Sequence, residues 1–512
     1  MKASDSRRGL VWLPLAIALL LLLFSVRGNS LWMDEGQTLS LLRHDSFSDM
    51  LRDLTTRGGA VSGMPLYFIL EFFWCRLFGL GEFAMRSMNY LFAACILWGA
   101  LRLIAEARLP RWSLLLFAAH PVLVYYMNEA RPYAALYACG LWGVLFLFRC
   151  ATVPGKRPVA DFFVCWWLAC ALHLMAVFAA AAYACLLGIL LWRKRLRFKD
   201  HLAVWLAAAP FFAALGADYL RFALNAPELG FPASPLVGIV QIGYYFAGLG
   251  GLGWSRQALR TLDFALTPRM ALELSAALLA WLAFLVACIR AKLFRTPRIA
   301  GAFACAAAAL GVFLAANIAF KTRFWERHVI YLLPPFLFVV ASAGREILAT
   351  HPGRLANAAV FPLLAAFLLS SCNLVWLPEY QKEDYRSAIA IARSLEPDHI
   401  FFQGNHSTLD YYGLSGIWGP DAALQPEAPI EAHVNISTLT WDGLRTLLER
   451  VRGRTVLLLL DRDEFDTAGF HKALAARGRR VNGFAIVDAA DIPPEALSPD
   501  ANPLWNHAAR AW

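Results

Sequence analysis

Apolar runs long enough to cross a bilayer, which takes about 20 helical residues, recur along the chain as far as Leu377. The first, Leu10 to Ser25, follows Lys2, Arg7 and Arg8. It reads as a retained anchor rather than a cleaved leader, because Val26, Arg27, Gly28 and Asn29 offer no small-x-small cleavage site. Further runs cover Ala84 to Leu101, Trp112 to Met127 and Tyr133 to Phe148. Phe162 to Leu191 has the length of a tight pair of short spans turning near His173. Leu202 to Leu215, Ala271 to Ile289, Ala300 to Phe320, Val329 to Ala343 and Leu355 to Leu377 follow. Basic residues gather in alternate loops: Arg102, Arg108 and Arg111; Arg149, Lys156 and Arg157; the run Arg193 to Lys199; Lys292, Arg295 and Arg298; Arg345 and Arg354. Taking these loops as cytoplasmic gives about eleven spans and a cytoplasmic amino end, as the positive-inside rule requires.

A large first outer loop covers residues 28–84. Its apolar stretch Pro65 to Phe78 is read as a helix lying along the surface, since counting it as a span would invert every later loop. Residues 216–269 make another outer segment, in which the Gly-rich Val237 to Leu252 is re-entrant or interfacial. No internal repeat stands out.

After Leu377 the pattern changes. Lys382 to Leu395 has the period of an amphipathic helix, His399 to Gln403 that of a strand, and Trp441 to Val451 that of a helix. Thr455 to Leu460 reads as a buried strand, Phe470 to Arg477 as a helix and Phe484 to Val487 as a strand. The expected fold class is mainly α. A polytopic transmembrane helical bundle occupies residues 1–377, and a small α/β domain occupies 378–512. An odd number of spans places that domain outside, in the periplasm of a Gram-negative host.

Composition agrees. The 512 residues are 59% hydrophobic and 16% charged, with a mean hydropathy of +0.51, against about 45–50% and about 25% in soluble domains. The net charge of +10 comes mostly from the basic loops. It reports topology, and no basic-aromatic module points to nucleic acid. The ten cysteines lie in or beside apolar segments, without a CxxC pair, so they read as buried hydrophobes rather than zinc ligands or a disulfide framework. Asn405-His406-Ser407 and Asn435-Ile436-Ser437 match glycosylation sequons but carry little weight.

Under this topology four polar groups share the outer face. They are Asp34-Glu35 just past the first span, Asn128 to Tyr133, His173 at a turn, and Lys321 to His328 before a late span. Ionisable groups at membrane depth are costly and mark functional sites by default. Together these suit transfer of a sugar from a lipid-phosphate donor, which needs a base on the acceptor hydroxyl and positive charge on the departing phosphate. Asp34 suits the base. Glu35 and Glu129 are candidate ligands of a divalent ion, Mg or Mn. Arg131, Lys321, Arg323 and Arg327 suit phosphate. Each has a plainer reading: a helix start solvated by Asp34 and Glu35, a local Glu129–Arg131 pair, an interfacial His173, basic side chains snorkelling at the rim.

Several pieces of the chain are similar to one family. They are Trp32-Met33-Asp34-Glu35, Pro65-Leu66-Tyr67, Phe78-Gly79 with Glu82-Phe83 and Arg86, and Pro121 through Tyr125-Tyr126 to Glu129-Ala130-Arg131-Pro132-Tyr133. His173, Arg327 with Tyr331-Leu332-Leu333-Pro334, and Lys382 to Arg386 complete the set. Over residues 10–400 the chain resembles the GT-C superfamily of integral-membrane glycosyltransferases, especially protein O-mannosyltransferases and lipid A aminoarabinose transferases. The resemblance implies a polyprenyl-phosphate-linked donor, inversion at the anomeric carbon, juxtamembrane helices in the first loop and a soluble outer domain. It gives the catalytic role to the first-loop acid, here Asp34 beside Glu35. Tyr67 and Tyr133 are expected to shape the pocket. The acceptor would be a glycolipid, polysaccharide or protein at the outer face of the inner membrane. One departure is that Arg327 is followed by His328 where the family often has Tyr. The rival classes are a transporter or flippase of a lipid-linked saccharide, which calls for discontinuous helices or repeats, and a non-catalytic anchor for the outer domain.

Overall fold

The computed structural model describes residues 3–56, 61, 63–153, 157–192, 198–225, 235–261, 264–293, 296–320, 325–350, 353–404, 406–414, 432–437, 439–460, 470–481 and 484–493. The chain divides into two compact units. The first comprises Met1–Arg27, His44–Gly253 and Leu266–Leu377, and the second Gly28–Arg43, Trp254–Ala265 and Pro378–Trp512. One boundary falls at Leu377, where the composition changes. Two stretches of the outer segments group with the C-terminal residues.

The first unit is helical. Five of its described stretches are long and apolar enough to cross a membrane: Glu82–Ala107, Tyr133–Thr152, Pro268–Arg290, Glu326–Thr350 and Arg354–Trp376. Shorter apolar helices include Trp12–Ser25, Leu174–Gly188, Leu202–Phe211 and Ile299–Ala315. The buried share is 67% in Glu326–Thr350 and 61% in Tyr133–Thr152 but 28% in Pro268–Arg290. The first two therefore form the middle of the bundle, and the third turns Leu272, Leu279 and Ile289 outward, as a helix facing hydrocarbon does. Gly140 lets the central helix touch the turn before Leu333: a Cβ there would stand 2.5 Å from the Tyr331 carbonyl oxygen.

Several expected spans are divided. Trp112 to Met127 forms two helices, Ser113–Ala118 and Pro121–Met127. Pro121 has no N–H for the ladder and holds His120 in extended backbone, φ −67° and ψ 137°. The late span starts as a 3₁₀ turn, Glu326–Leu332, and continues as Leu333–Thr350. Pro334 and Pro335 sit in its first α-helical turn, where a missing N–H costs little. The expected hairpin consists of Arg157–Leu172 and Val177–Trp192, with His173 between them. Pro65–Phe78 is a 14-residue helix, about 21 Å long at 1.5 Å per residue. That is short of the ~30 Å hydrocarbon core. The ambiguous Gly-rich segment is a helix, Pro235–Phe246, followed by a turn that docks on Arg354–Trp376. There the Gly251 N–H donates to Ser370 Oγ at 3.0 Å and its carbonyl accepts from Asn373 Nδ2 at 2.8 Å.

The second unit is built on a five-stranded sheet of order β2-β1-β3-β5-β4. The strands are β1 His399–Phe402, β2 His433–Asn435, β3 Thr455–Leu460, β4 Arg479–Val481 and β5 Phe484–Asp488. β1 is parallel to β2 and β3, and β5 is antiparallel to β3 and β4. Side chains alternate along β3. Val456, Leu458 and Leu460 pack with Tyr385 and Ile389 on one face, and Leu457 and Leu459 with Trp441 and Leu444 on the other. Both faces are covered, so β3 reads as an unbroken apolar run.

Gly28–Arg43 is tied to this unit by polar contacts. Asn29 Nδ2 donates to Gln381 Oε1 at 2.8 Å, and the Leu31 N–H to the Tyr412 hydroxyl at 2.6 Å. Arg386 donates from Nη2 to the Gly28 carbonyl at 2.9 Å, and Arg43 pairs with Asp410. Of the two sequons, Asn435-Ile436-Ser437 is buried with Asn435 bonded to the Gly404 carbonyl. Asn405 lies outside the described residues.

Candidate functional site

In the first unit the predicted residues converge around His173. Three bonds hold this turn. The Leu174 N–H donates to the Gly63 carbonyl at 2.8 Å, the Tyr331 hydroxyl to the Met175 carbonyl at 2.9 Å, and the Met175 N–H to His173 Nδ1 at 3.2 Å. Opposite it lies the turn carrying Glu129 and Arg131. Asn89 Nδ2 fastens that turn through the Met127 and Glu129 carbonyls at 3.0 and 2.7 Å, and the Arg27 N–H through Asn128 Oδ1 at 2.9 Å. Aromatic rings link the two. Tyr126 and Tyr133 have centroids 4.8 Å apart, Tyr133 and His173 6.4 Å, and His173 and His328 5.9 Å. Arg131 lies over the Phe68 ring at 5.9 Å, and Tyr67 is the buried neighbour of Phe68.

The electrostatics here favour an anion. Because His173 Nδ1 accepts a bond, its neutral ring carries the proton on Nε2. Burial, then the charges of Arg131 and Arg327, push its pKa down to about 3. The imidazole is therefore a neutral donor at physiological pH. His173 Nε2 and Nε and Nη1 of Arg131 are buried without a hydrogen-bond partner among the described residues. Arg131 itself is only 2% exposed. Buried donors are normally satisfied, so three together point to a ligand that supplies acceptors.

A pH dependence of stability follows. As pH falls below the ordinary histidine value of 6.5, the unfolded chain takes up a proton that folded His173 refuses until about pH 3. Stability is lost as pH falls through that window, by up to about 1.4 kcal/mol per pH unit, and is unaffected above it. Thermal unfolding at pH 7 and 5 of the natural protein and of His173→Gln measures this contribution. Equal losses in both would show that the ring is not shielded.

Two carboxylates not singled out from the sequence join this unit. Glu326 is buried and its Oε1 accepts from the Tyr126 hydroxyl at 2.5 Å. Glu71 is wholly buried on Pro65–Phe78. An acid inside an apolar helix is the sequence signal that could have found Glu71. In the sequence Glu326 stands among the cations Lys321, Arg323 and Arg327, which mask it. Lys321 and Arg323 lie outside the described residues.

Asp34 and Glu35 belong to the second unit, in the first turn of the helix Met33–Leu42. Both are buried. Glu35 Oε2 accepts the Trp32 N–H at 3.2 Å, so this carboxylate caps its own helix. Two cations of the same unit approach the Trp32 ring, Lys382 Nζ at 5.3 Å and the Arg256 guanidinium at 5.9 Å from its centre. Among the described residues no three His, Cys, Asp or Glu side chains stand together as a metal site. Glu35 and Glu129 fall in different units, and Glu35 is engaged by its cap.

No protein-family model matches the chain, and no curated protein sequence does. Two solved structures align over most of its length. A crystal structure of ArnT from Cupriavidus metallidurans in the apo state is 14% identical, with a TM-score of 0.46, covering 96% of this chain and all of that one. A crystal structure of the same protein bound to undecaprenyl phosphate is 13% identical, with a TM-score of 0.43, covering 95% and 99%.

Proposed function

We propose that the chain is a multi-pass membrane glycosyltransferase of the GT-C kind. It moves a hexose or pentose from a polyprenyl-phosphate-linked donor to a glycolipid, polysaccharide or protein at the outer face of the inner membrane. The observation that supports this most is the group of buried N–H donors on Arg131 and His173 with no partner among the described residues. A departing phosphate supplies acceptors and negative charge to those donors.

The acceptor oxygen bonds to the anomeric carbon on the face opposite the phosphate, and the configuration inverts. The carbon–oxygen bond to phosphate breaks, and its electron pair leaves with the polyprenyl phosphate. Asp34 takes the acceptor's proton. Arg131 and Arg327 neutralise the leaving group, with Lys321 and Arg323 assigned the same role from the sequence. His173 donates one neutral N–H, Glu129 holds the acceptor, and Tyr67 and Tyr133 shape the walls. Glu35 maintains the helix start that carries Asp34. No step is routed through a metal.

Reconstituted protein given polyprenyl-phosphate-linked sugars tests the reading. Sugar transfer with release of polyprenyl phosphate is expected, and EDTA should leave it unchanged. Movement of the intact lipid-linked sugar across the bilayer without bond cleavage would make the protein a transporter instead. Loss on EDTA treatment with recovery on Mg or Mn would restore the divalent ion expected at Glu35 and Glu129.

A further inference from the structure

We propose that the groove between the helices Arg157–Leu172 and Phe198–Asn225 seats an anionic phospholipid. Its acyl chain runs along the groove and its phosphate meets Arg157 and Lys199. The two helices run in the same direction. Phe163 meets Trp205 edge-on with centroids 4.8 Å apart, and one turn further on Trp167 meets Phe211 at 5.5 Å. Their amino ends therefore share one edge of the bundle.

Between the helices lies a cavity of about 420 Å³, walled by Phe163, Trp167 and Phe211 and floored by small residues such as Ala160 and Ala207. Every lining side chain is apolar. Phe211 is 54% exposed, so the groove opens to the outside of the bundle, where hydrocarbon lies. From Ala160 to Trp167 it runs about 10 Å at 1.5 Å per residue, within the ~15 Å of one leaflet, half of a ~30 Å core.

The groove ends in positive charge. Arg157 comes three residues before Ala160, about 4.5 Å of helix rise. It is 92% exposed, with Asp161 at 3.8 Å on the next turn. Lys199 is exposed at the same end of the partner helix and closes the basic run that begins at Arg193. Apolar troughs between helices that end in cations take lipids with anionic heads. A zwitterionic lipid would gain the trough without the charge. The donor's own chain is a poorer occupant. On the proposed function, its phosphate lies at His173, beyond the other end of Arg157–Leu172, and this exclusion alone rests on that function.

The probes are phosphatidylglycerol and phosphatidylcholine with the same acyl chains, added to delipidated full-length protein and read by native mass spectrometry. Phosphatidylglycerol should be retained about 25-fold more tightly, from two cations at roughly 5-fold each. Arg157→Gln with Lys199→Gln, at exposed positions that leave packing intact, should reduce it to the phosphatidylcholine level. Ala207→Phe, which fills the trough, should weaken both lipids. Equal retention of the two lipids by the natural protein, or unchanged retention in the variants, overturns the proposal. Displacement of phosphatidylglycerol by polyprenyl phosphate also overturns it, by giving the groove to the donor. None of these residues is assigned to the transfer machinery, so each such failure leaves the proposed function standing.

Discussion

Asp34→Asn is expected to lower sugar transfer by about 10²–10⁴-fold, the usual weight of a positioned general base, with the amount of folded protein unchanged. The substitution keeps size and shape at a side chain only 7% exposed, and removes the capacity to take a proton. Its neighbour supplies the contrast. Glu35 accepts the Trp32 N–H, so Glu35→Gln, which can still accept that bond, should keep most of the activity. Glu35→Ala should cost about 0.5–2 kcal/mol of stability by uncapping the helix. Initial rates on a polyprenyl-phosphate sugar, with unfolding curves for all three proteins, separate the roles. Undiminished transfer by Asp34→Asn would remove it as the base.

Arg131→Met should move activity and stability in opposite directions. Transfer should fall about 10²–10³-fold, as when one preorganised charge partner of a transition state is lost. The fold should hold or gain. Nε and Nη1 of Arg131 are buried with no hydrogen-bond partner among the described residues, and a desolvated charge that is not fully hydrogen-bonded is costly. Replacing buried ionic groups by apolar side chains of similar volume is often neutral or stabilising by about 1–4 kcal/mol. The Phe68 contact at 5.9 Å opposes this with about 0.5–2 kcal/mol of cation–π attraction. Arg131→Lys should not restore transfer, because a point charge lacks the planar fork. Measuring kcat/KM beside Tm decides the matter. If Arg131→Met loses both together, Arg131 holds the structure rather than the leaving group.

Much of this was legible in the sequence for a simple reason. A span declares itself through about 20 apolar residues, and β3 through six consecutive buried ones, Thr455 to Leu460. Breaks inside apolar runs were harder to see. Read as one apolar run, Trp112 to Met127 makes a single span, although Pro121 carries the signal that divides it. The edge strands β2 and β4, three residues each, were missed because so few residues show no period. At the site, Glu129, Arg131 and His173 stood out as polar groups in apolar surroundings. The Tyr126–Glu326 bond joins residues 200 apart, and no local pattern records such a pairing. The grouping of Gly28–Arg43 with the last third of the chain was equally hidden, because single hydrogen bonds over long separations carry it.

That last feature has a bearing on biosynthesis. Asn29 waits for Gln381, 352 positions later, and Leu31 for Tyr412, 381 positions later. At ribosomal speeds of 5–20 residues per second, the wait is roughly 20–75 s. During that time the segment bearing Asp34 has been made but lacks these two hydrogen bonds. A chain stalled before Gln381 would therefore lack both contacts that hold this segment, and on the proposed function it would carry an acid that is not yet positioned.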